Sequence, residues 1–400
     1  MIREMQSIKD EKDSGLDSSL KPIQENPRIL FLEPQPCIRA LKYAKGLKWA
    51  FKGKVSIIFG YLYYTLNELY GHGDEVFDKL VKLDHNNLRN DIKNLVDRFN
   101  PSIIHSHNAP DLLTISAIDA VNGEIPVIHD CHEALTLRET GYYVTDDEEA
   151  IRNNYPRQEK IANEQSDGGI YVTEGLRDYV QQRYDIDPSK AMVFYSYICE
   201  SMVPPKLRRK ILEKDGQTHI VYIGTVTSLI KDSHYDLREI FREIANHRIH
   251  IHMYVSIWGA RDKAYQRLAE KSDFIHYHGH LDQKTLLEEI TQYDYGWAGF
   301  NLNEKNVKHL DVALPNKVIE YIACELPVLA FPHKTIKNFL EKNRVGLVFE
   351  DIDEMASKLK DKETERMKMN VLNSRYKFTV ERNIGRLIKF YDKIYSSNLS

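Results

Sequence analysis

The stretch Leu314-Pro-Asn-Lys-Val-Ile-Glu-Tyr-Ile-Ala-Cys-Glu-Leu-Pro-Val-Leu-Ala-Phe331 reads as a loop, a short helix and a buried strand. Pro315 suits the first helical turn, where its missing N–H costs nothing and its fixed φ helps nucleation. Val318, Ile319, Ile322 and Ala323 supply an apolar face at helical spacing, and Pro327 punctuates. Val328-Leu-Ala-Phe331 is then a short apolar run of the kind found in parallel sheets.

Lys317 and Glu320, three residues apart, share the polar side of this helix. A helix N-terminus offers free N–H groups and a positive dipole end to a diphosphate. Lys317 in the first turn opposes the usual dipole preference unless an anion arrives. Glu320, a turn further in, has the acceptors to take hydrogen bonds from the vicinal hydroxyls of a ribose. The alternative is an ordinary αβ unit with two solvated charges.

The pattern Pro315-Asn-Lys-x-x-Glu-Tyr-x-Ala-x-x-x-Pro-Val328 resembles the donor-binding signature of retaining GT-B glycosyltransferases, the group typified by glycosyltransferase family 4. The resemblance implies an α/β chain of two Rossmann-like, doubly wound domains facing a central cleft. It also implies that Asn316, Lys317 and Glu320 bind a nucleoside diphosphate sugar, with Glu320 on the ribose. Two positions depart from the pattern. Val312 stands where a second glutamate is common, and Glu325 stands where a glycine is usual. A residue with a Cβ held at φ > 0 would carry roughly 1 kcal/mol of strain.

Working outward, 400 residues exceed one ordinary core and suggest two domains. A net charge of −4 gives no global electrostatic case for nucleic acid. Cys37, Cys131, Cys199 and Cys324 are widely spaced, which points to a reducing compartment rather than a disulfide framework. No run approaches the ~18 apolar residues of a membrane span. Residues 1–26 read as a disordered tail without a signal peptide. A cytoplasmic protein is expected, with peripheral attachment to the inner face of the membrane as the sharper variant.

Strand and helix patterns alternate from Arg28 onward, which argues a doubly wound parallel sheet over residues 27–200. Ile38 to Phe51 interleaves Arg39, Lys42, Lys45 and Lys48 with apolar residues. It reads either as a first crossover helix or as a basic surface for anionic lipid head groups or a phosphate-bearing acceptor. Ligands gather at the carboxyl ends of such strands. Two polar clusters fall there, His105-Ser-His107-Asn108 and His129-Asp-Cys-His132-Glu133. Histidine pairs at alternate strand positions, including His276, His278 and His280, raise a metal site, but no complete tetrahedral set is evident; no metal and no cofactor are expected. In the resembling family, the segment matching these clusters forms the acceptor side. His132 corresponds to a histidine lying near the transferred sugar, and Arg39, His107, Asn108 and Glu133 are the accompanying acceptor-side candidates.

Residues 201–217, with Pro204-Pro205 and a charge run, read as a linker. Residues 218–375 read as the second Rossmann-like domain, and residues 376–400 as a helix crossing back to the first. Gly224 ends the strand His219–Gly224 and would let backbone approach a phosphate. Relatives commonly carry an arginine at the next position, where this chain has Thr225, and a lysine further on, matched by Lys231. The expected activity is transfer of a sugar from a nucleoside diphosphate sugar to a glycan, lipid-linked or small-molecule acceptor, with retention. His132, Lys231 and Lys317 are the residues at the chemistry. A GT-B chain that has lost turnover and serves as a binding partner, or a nucleotide-sugar epimerase, is the alternative.

Overall fold

The computed structural model describes residues 26–34, 37–137, 149–230, 233–302, 304, 306–360 and 363–398. The expected tail, apart from Asn26, and Lys231 lie outside these residues.

Two wholly parallel sheets are built by the alternating pattern. The first joins β1 (Arg28–Glu33), β2 (Ser56–Tyr61), β3 (Lys79–Lys82), β4 (Ile103–His107), β5 (Val127–Cys131), β6 (Gly168–Tyr171) and β7 (Ala191–Val193) in the order β3-β2-β1-β4-β5-β6-β7. The second joins β8 (His219–Gly224), β9 (His250–Val255), β10 (Ile275–Gly279), β11 (Tyr295–Trp297), β12 (Val328–Ala330) and β13 (Gly346–Val348) in the order β10-β9-β8-β11-β12-β13. Strand order reverses between β1 and β4 and again between β8 and β11, so each sheet opens a crevice at the carboxyl ends of those strands. The inner strands β1 and β8 read as nearly continuous apolar runs because helices cover both faces. This is the two-domain GT-B architecture.

The helices that position the cleft are α1 (Ile38–Ala50) and α2 (Glu174–Arg183) in the first unit, and α3 (Val307–Val312), α4 (Asn316–Ala323) and α5 (Lys334–Asn343) in the second. The terminal α6 (Val380–Asn398) returns to the first unit and buries Leu387, Tyr391 and Ile394. A Cβ on Gly46 would stand 2.3 Å from Val380 Cγ1, so the lack of a side chain there lets α1 and α6 approach closely. Across the cleft, Thr173 Oγ1 donates to the carbonyl of Val312 at 2.6 Å. A Cβ on Gly175 would lie 2.3 Å from Thr335 Oγ1, so the start of α2 lies tight against the second unit.

The basic stretch takes the crossover role, and only Lys45 and Lys48 of its four cations are left partly exposed. Only 4% of Arg39 is exposed, and Lys42 is buried as well. Lys48 is neutralised by Asp78 at 2.7 Å. Interleaving cations with apolar residues places some of them inward when a helix is covered on two sides, here by the sheet and α6. Among the described residues no helix is long and apolar enough to cross a membrane.

Candidate functional site

The signature helix α4 is fixed by its tyrosine. Tyr321 donates its hydroxyl to the Trp297 carbonyl at 3.0 Å and accepts from the Ile223 N–H at 3.0 Å, bridging β11 and β8. Its ring lies over Gly296, where a Cβ would come within 2.2 Å. Only glycine permits this approach, and the result holds the start of α4 beside the end of β8.

That start is electrostatically open. Pro315 at the cap position offers no side-chain acceptor, and the first turn holds no acid. Lys317 is 8% exposed, and its Nζ has no hydrogen-bond partner. The ammonium sits 3.8 Å from the centroid of Tyr222 and 5.3 Å from that of Phe300, a cation–π setting that only partly replaces water. Burial pushes its pKa down to about 7, with Glu320 opposing the shift. Gly224, at φ +127, passes so close that a Cβ would be 3.3 Å from Lys317 Nζ. Thr225 follows, its hydroxyl 3.2 Å from Ser256 Oγ. One turn along α4, Glu320 Oε1 accepts from Gln283 Nε2 at 3.2 Å. Gly224, Thr225, Asn316, Lys317 and Glu320 are therefore brought to one crevice, joined by Gln283. Sequence reasoning missed Gln283, because nothing in its helix marks a partner 37 residues away.

The facing strand ends carry a denser set of polar groups. Asn108 accepts from the His132 N–H at 3.0 Å and donates to the Glu133 carbonyl at 2.5 Å, so it shapes the loop after β5. His132 keeps a buried Nδ1 without a hydrogen bond, and burial lowers its pKa, so it stands neutral. His107 is buried with both nitrogens unpartnered and stacks on His105 at 4.5 Å. Glu133 Oε1 lies 3.9 Å from His309 Nε2 on α3, a contact across the cleft. Arg39 is the exception among the acceptor-side candidates. Its guanidinium is committed to Asp130 at 3.0 Å, the Phe194 carbonyl at 2.7 Å and Ser196 at 3.3 Å, beneath the strand ends rather than in the cleft.

Two groups bring metal-ligand atoms within 4.8 Å of one another, His105–His107–Asp130 and Glu33–Cys37–His132. In the first, the Asp130 oxygens already accept from Arg39, Tyr43 and His105. In the second, burial lifts the Glu33 carboxyl to about 8 and raises the Cys37 thiol, so a cation there would have to displace both protons.

The chain matches the family model for Glycosyltransferase Family 4 over residues 76–198 and that for the Glucosyltransferase 3-like C-terminal domain over residues 237–384. No curated protein matches it in sequence. Among solved structures it resembles HepE of Anabaena, crystallised with UDP and glucose, at TM-score 0.63 and 12% identity, covering 91% of this chain and 99% of that one. The sucrose-phosphate synthase of Thermosynechococcus elongatus aligns at TM-score 0.60 and 12% identity over 91% and 98% of the two chains. A UDP-GlcNAc 2-epimerase from Neisseria meningitidis, bound to UDP-GlcNAc, aligns at 0.55 and 14% over 92% and 100%. At such identities the structural likenesses speak to the fold, and the two family models speak to its lineage. Matched in both halves and folded as two facing Rossmann-like domains, the chain belongs to the family 4-like glycosyltransferases of GT-B fold.

Proposed function

We propose that the protein moves a sugar from a nucleoside diphosphate sugar to a glycan, lipid-linked or small-molecule acceptor, with retention of configuration. The observation that carries this reading is the Lys317 ammonium, buried and without a hydrogen bond at the uncapped start of α4, next to Gly224. A diphosphate leaving group would satisfy that cation and the free N–H groups together, which is preorganised stabilisation of charge as the sugar departs. Protein groups rather than a metal ion would then neutralise the diphosphate, with Lys231 a further candidate for the same work. Glu320, steadied by Gln283, would hold the ribose. Neutral His132 would contact the transferred sugar, and the departing phosphate would take the acceptor proton. His107, Asn108 and Glu133 would border the acceptor.

Glu320→Ala is expected to raise donor KM, and His132→Ala to lower kcat mainly. Unchanged kinetics in both would remove these assignments. A second reading is a nucleotide-binding partner without turnover, favoured by Thr225, Val312 and Glu325 standing where the resembling family usually has an arginine, a glutamate and a glycine. Calorimetry with UDP and GDP followed by a donor-hydrolysis assay separates the two. Product analysis without acceptor detects epimerisation. The protein is placed in the cytoplasm by this reading, working on a nucleotide-sugar pool and docked on the membrane when the acceptor is lipid-linked.

A further inference from the structure

Six large apolar side chains are more than half exposed among the described residues: Trp49, Leu229, Ile230, Ile257, Trp258 and Met369. Four of them lie on two loops of the second unit, those that leave the carboxyl ends of β8 and β9. Leu229 is 81% exposed and Trp258 62%. These are not loose ends. Ser228 Oγ donates to Asp262 Oδ1 at 2.9 Å, and the Ser228 N–H donates to the other Asp262 oxygen. Thr225 and Ser256 meet at 3.2 Å, and a Cβ on Gly259 would lie 3.2 Å from the Val226 nitrogen. Val226 is buried, so the loops are anchored at their bases and carry their apolar residues outward from a shared, hydrogen-bonded root.

Among the described residues of the two loops, the exposed charge is positive. Arg261 and Lys263 are exposed on the second loop, and the Arg261 guanidinium lies 4.4 Å over the Trp258 ring. The intervening Asp262 is buried, and its oxygens accept from Ser228 and from the Ala264 N–H, so it presents no acid to solvent. Two long aliphatic residues, an isoleucine–tryptophan pair and adjoining cations are the composition of a surface that enters the head-group zone of a bilayer. The apolar tips gain from burial, the tryptophan favours the interface, and the cations meet anionic phosphates.

We propose that the paired loops Val226–Ile230 and Ser256–Lys263 form a docking surface for an anionic phospholipid membrane, presenting the mouth of the cleft to that membrane. The surface begins one residue after the Gly224–Thr225 crevice, so docking would hold the donor side at the lipid boundary. This differs from the sequence-based expectation, which put the contact on the α1 stretch. The inference does not depend on sugar transfer, since vesicle binding is read without turnover.

The test uses the full chain with phosphatidylcholine vesicles, and with vesicles carrying about one third phosphatidylglycerol. Flotation with the anionic vesicles is expected, with weaker flotation on the neutral ones. In a Trp49→Phe background, Trp258 emission should shift to the blue on binding, because Trp297 is already buried. The triple variant Leu229→Ser, Ile230→Ser, Trp258→Ser should lower vesicle partition at least about tenfold with an unchanged melting midpoint, as expected for exposed sites. Arg261→Glu with Lys263→Glu should abolish the preference for anionic lipid. The proposal falls if the chain does not float, or if the triple variant floats like the parent. It also falls if Trp49→Ser with Lys52→Glu removes binding instead. A dimer by light scattering that the triple variant converts to monomer would assign the surface to a second copy and overturn the lipid reading.

Discussion

Each unit buries a cation beside its strand ends, Arg39 in one and Lys317 in the other, and the fold meets the two in opposite ways. In the first, Arg39, Asp130, Tyr43, His105 and Tyr391 form a closed set in which each charge meets its counterpart. Tyr43 donates to Asp130 at 2.6 Å, His105 reaches Asp130 at 3.2 Å and Tyr391 at 2.5 Å, and Arg39 pairs with the same carboxylate. Burial alone would push the Asp130 carboxyl up, but Arg39 and His105 hold it well below the usual carboxylate range. In the second, Lys317 is equally buried and has an aromatic face where a carboxylate would stand. A buried charge that is answered within the fold is structural. One left unanswered costs folding free energy that a ligand can return.

The largest test breaks the answered set. Asp130→Ala strands Arg39 in a buried site, and loss of about 3–5 kcal/mol is expected from chemical denaturation. Arg39→Met with Asp130→Leu together should cost markedly less, because no uncompensated charge remains. If the single and double variants are equally unstable, the pair is not what holds the first unit together.

Lys317→Met should behave in the reverse sense. Removing a buried amine without a hydrogen bond leaves the melting midpoint unchanged or higher. The loss of a charge-assisted contact of about 1.5–3 kcal/mol should weaken UDP binding roughly 10–100-fold by calorimetry. A fall in stability with intact UDP affinity would make Lys317 a structural group like Arg39.

A smaller effect follows from the Lys317 pKa of about 7 in the free protein. An arriving diphosphate favours the charged amine, so binding takes up a proton, and UDP affinity should fall by up to tenfold per pH unit above about 7. Calorimetry in two buffers of different ionisation enthalpy measures the uptake directly. Lys317→Met should abolish it.

The histidines of both units give a stability effect of one sign. Burial holds His129 at about 3 and His276 at about 4, and lowers His105, His107, His132, His250 and His278. Each is neutral in the fold but takes a proton in the unfolded chain below the ordinary value near 6.5, so the unfolded state binds more protons. Stability is complete above about 6.5 and is lost as pH falls towards about 4. Between pH 7.5 and 5.5 a drop of about 5 °C in melting midpoint is expected. The carboxyls of Glu33 and Asp111, each lifted to about 8 by burial, gain stability over the same range and oppose this drop, so the imidazoles are followed individually by NMR titration. Rings found cationic at pH ~5.5 in the folded protein would show that they are solvated or paired.

Much of this was legible in the chain. β1 and β8 follow from their apolar runs, and α4 from its proline and periodic face. The misses have physical causes. β3 reads Lys79-Leu-Val-Lys82, an exposed edge strand too short and too charged to register as apolar. β13 is three half-buried residues opening on a glycine. Arg39 and Lys42 looked like a surface because sequence periodicity finds one apolar face and cannot announce that a terminal helix will cover the other. For the site, Lys317 and Glu320 were visible from spacing. Gln283 and the Arg39–Asp130 pair were not, since contacts between residues 37 and 91 positions apart leave no local pattern.

The smallest effect lies in backbone strain, and Glu325 isolates it. Its φ of +60 is the left-handed conformation that favours glycine. Its carboxylate approaches Arg375 at 3.4 Å without forming a hydrogen bond at the buried oxygen. Arg375 keeps its other partners, the carbonyls of Ala323 at 3.0 Å and Pro204 at 2.5 Å, whatever occupies position 325. Glu325→Gly and Glu325→Ala both remove the same weak ion pair, and only the alanine keeps a Cβ in the strained conformation. The glycine variant should therefore be the more stable of the two by about 1 kcal/mol in urea denaturation, with UDP affinity equal in both. An alanine variant as stable as the glycine one would mean that the turn after α4 relaxes when the ion pair is gone, and that Arg375 rather than the following strand dictates the conformation seen here.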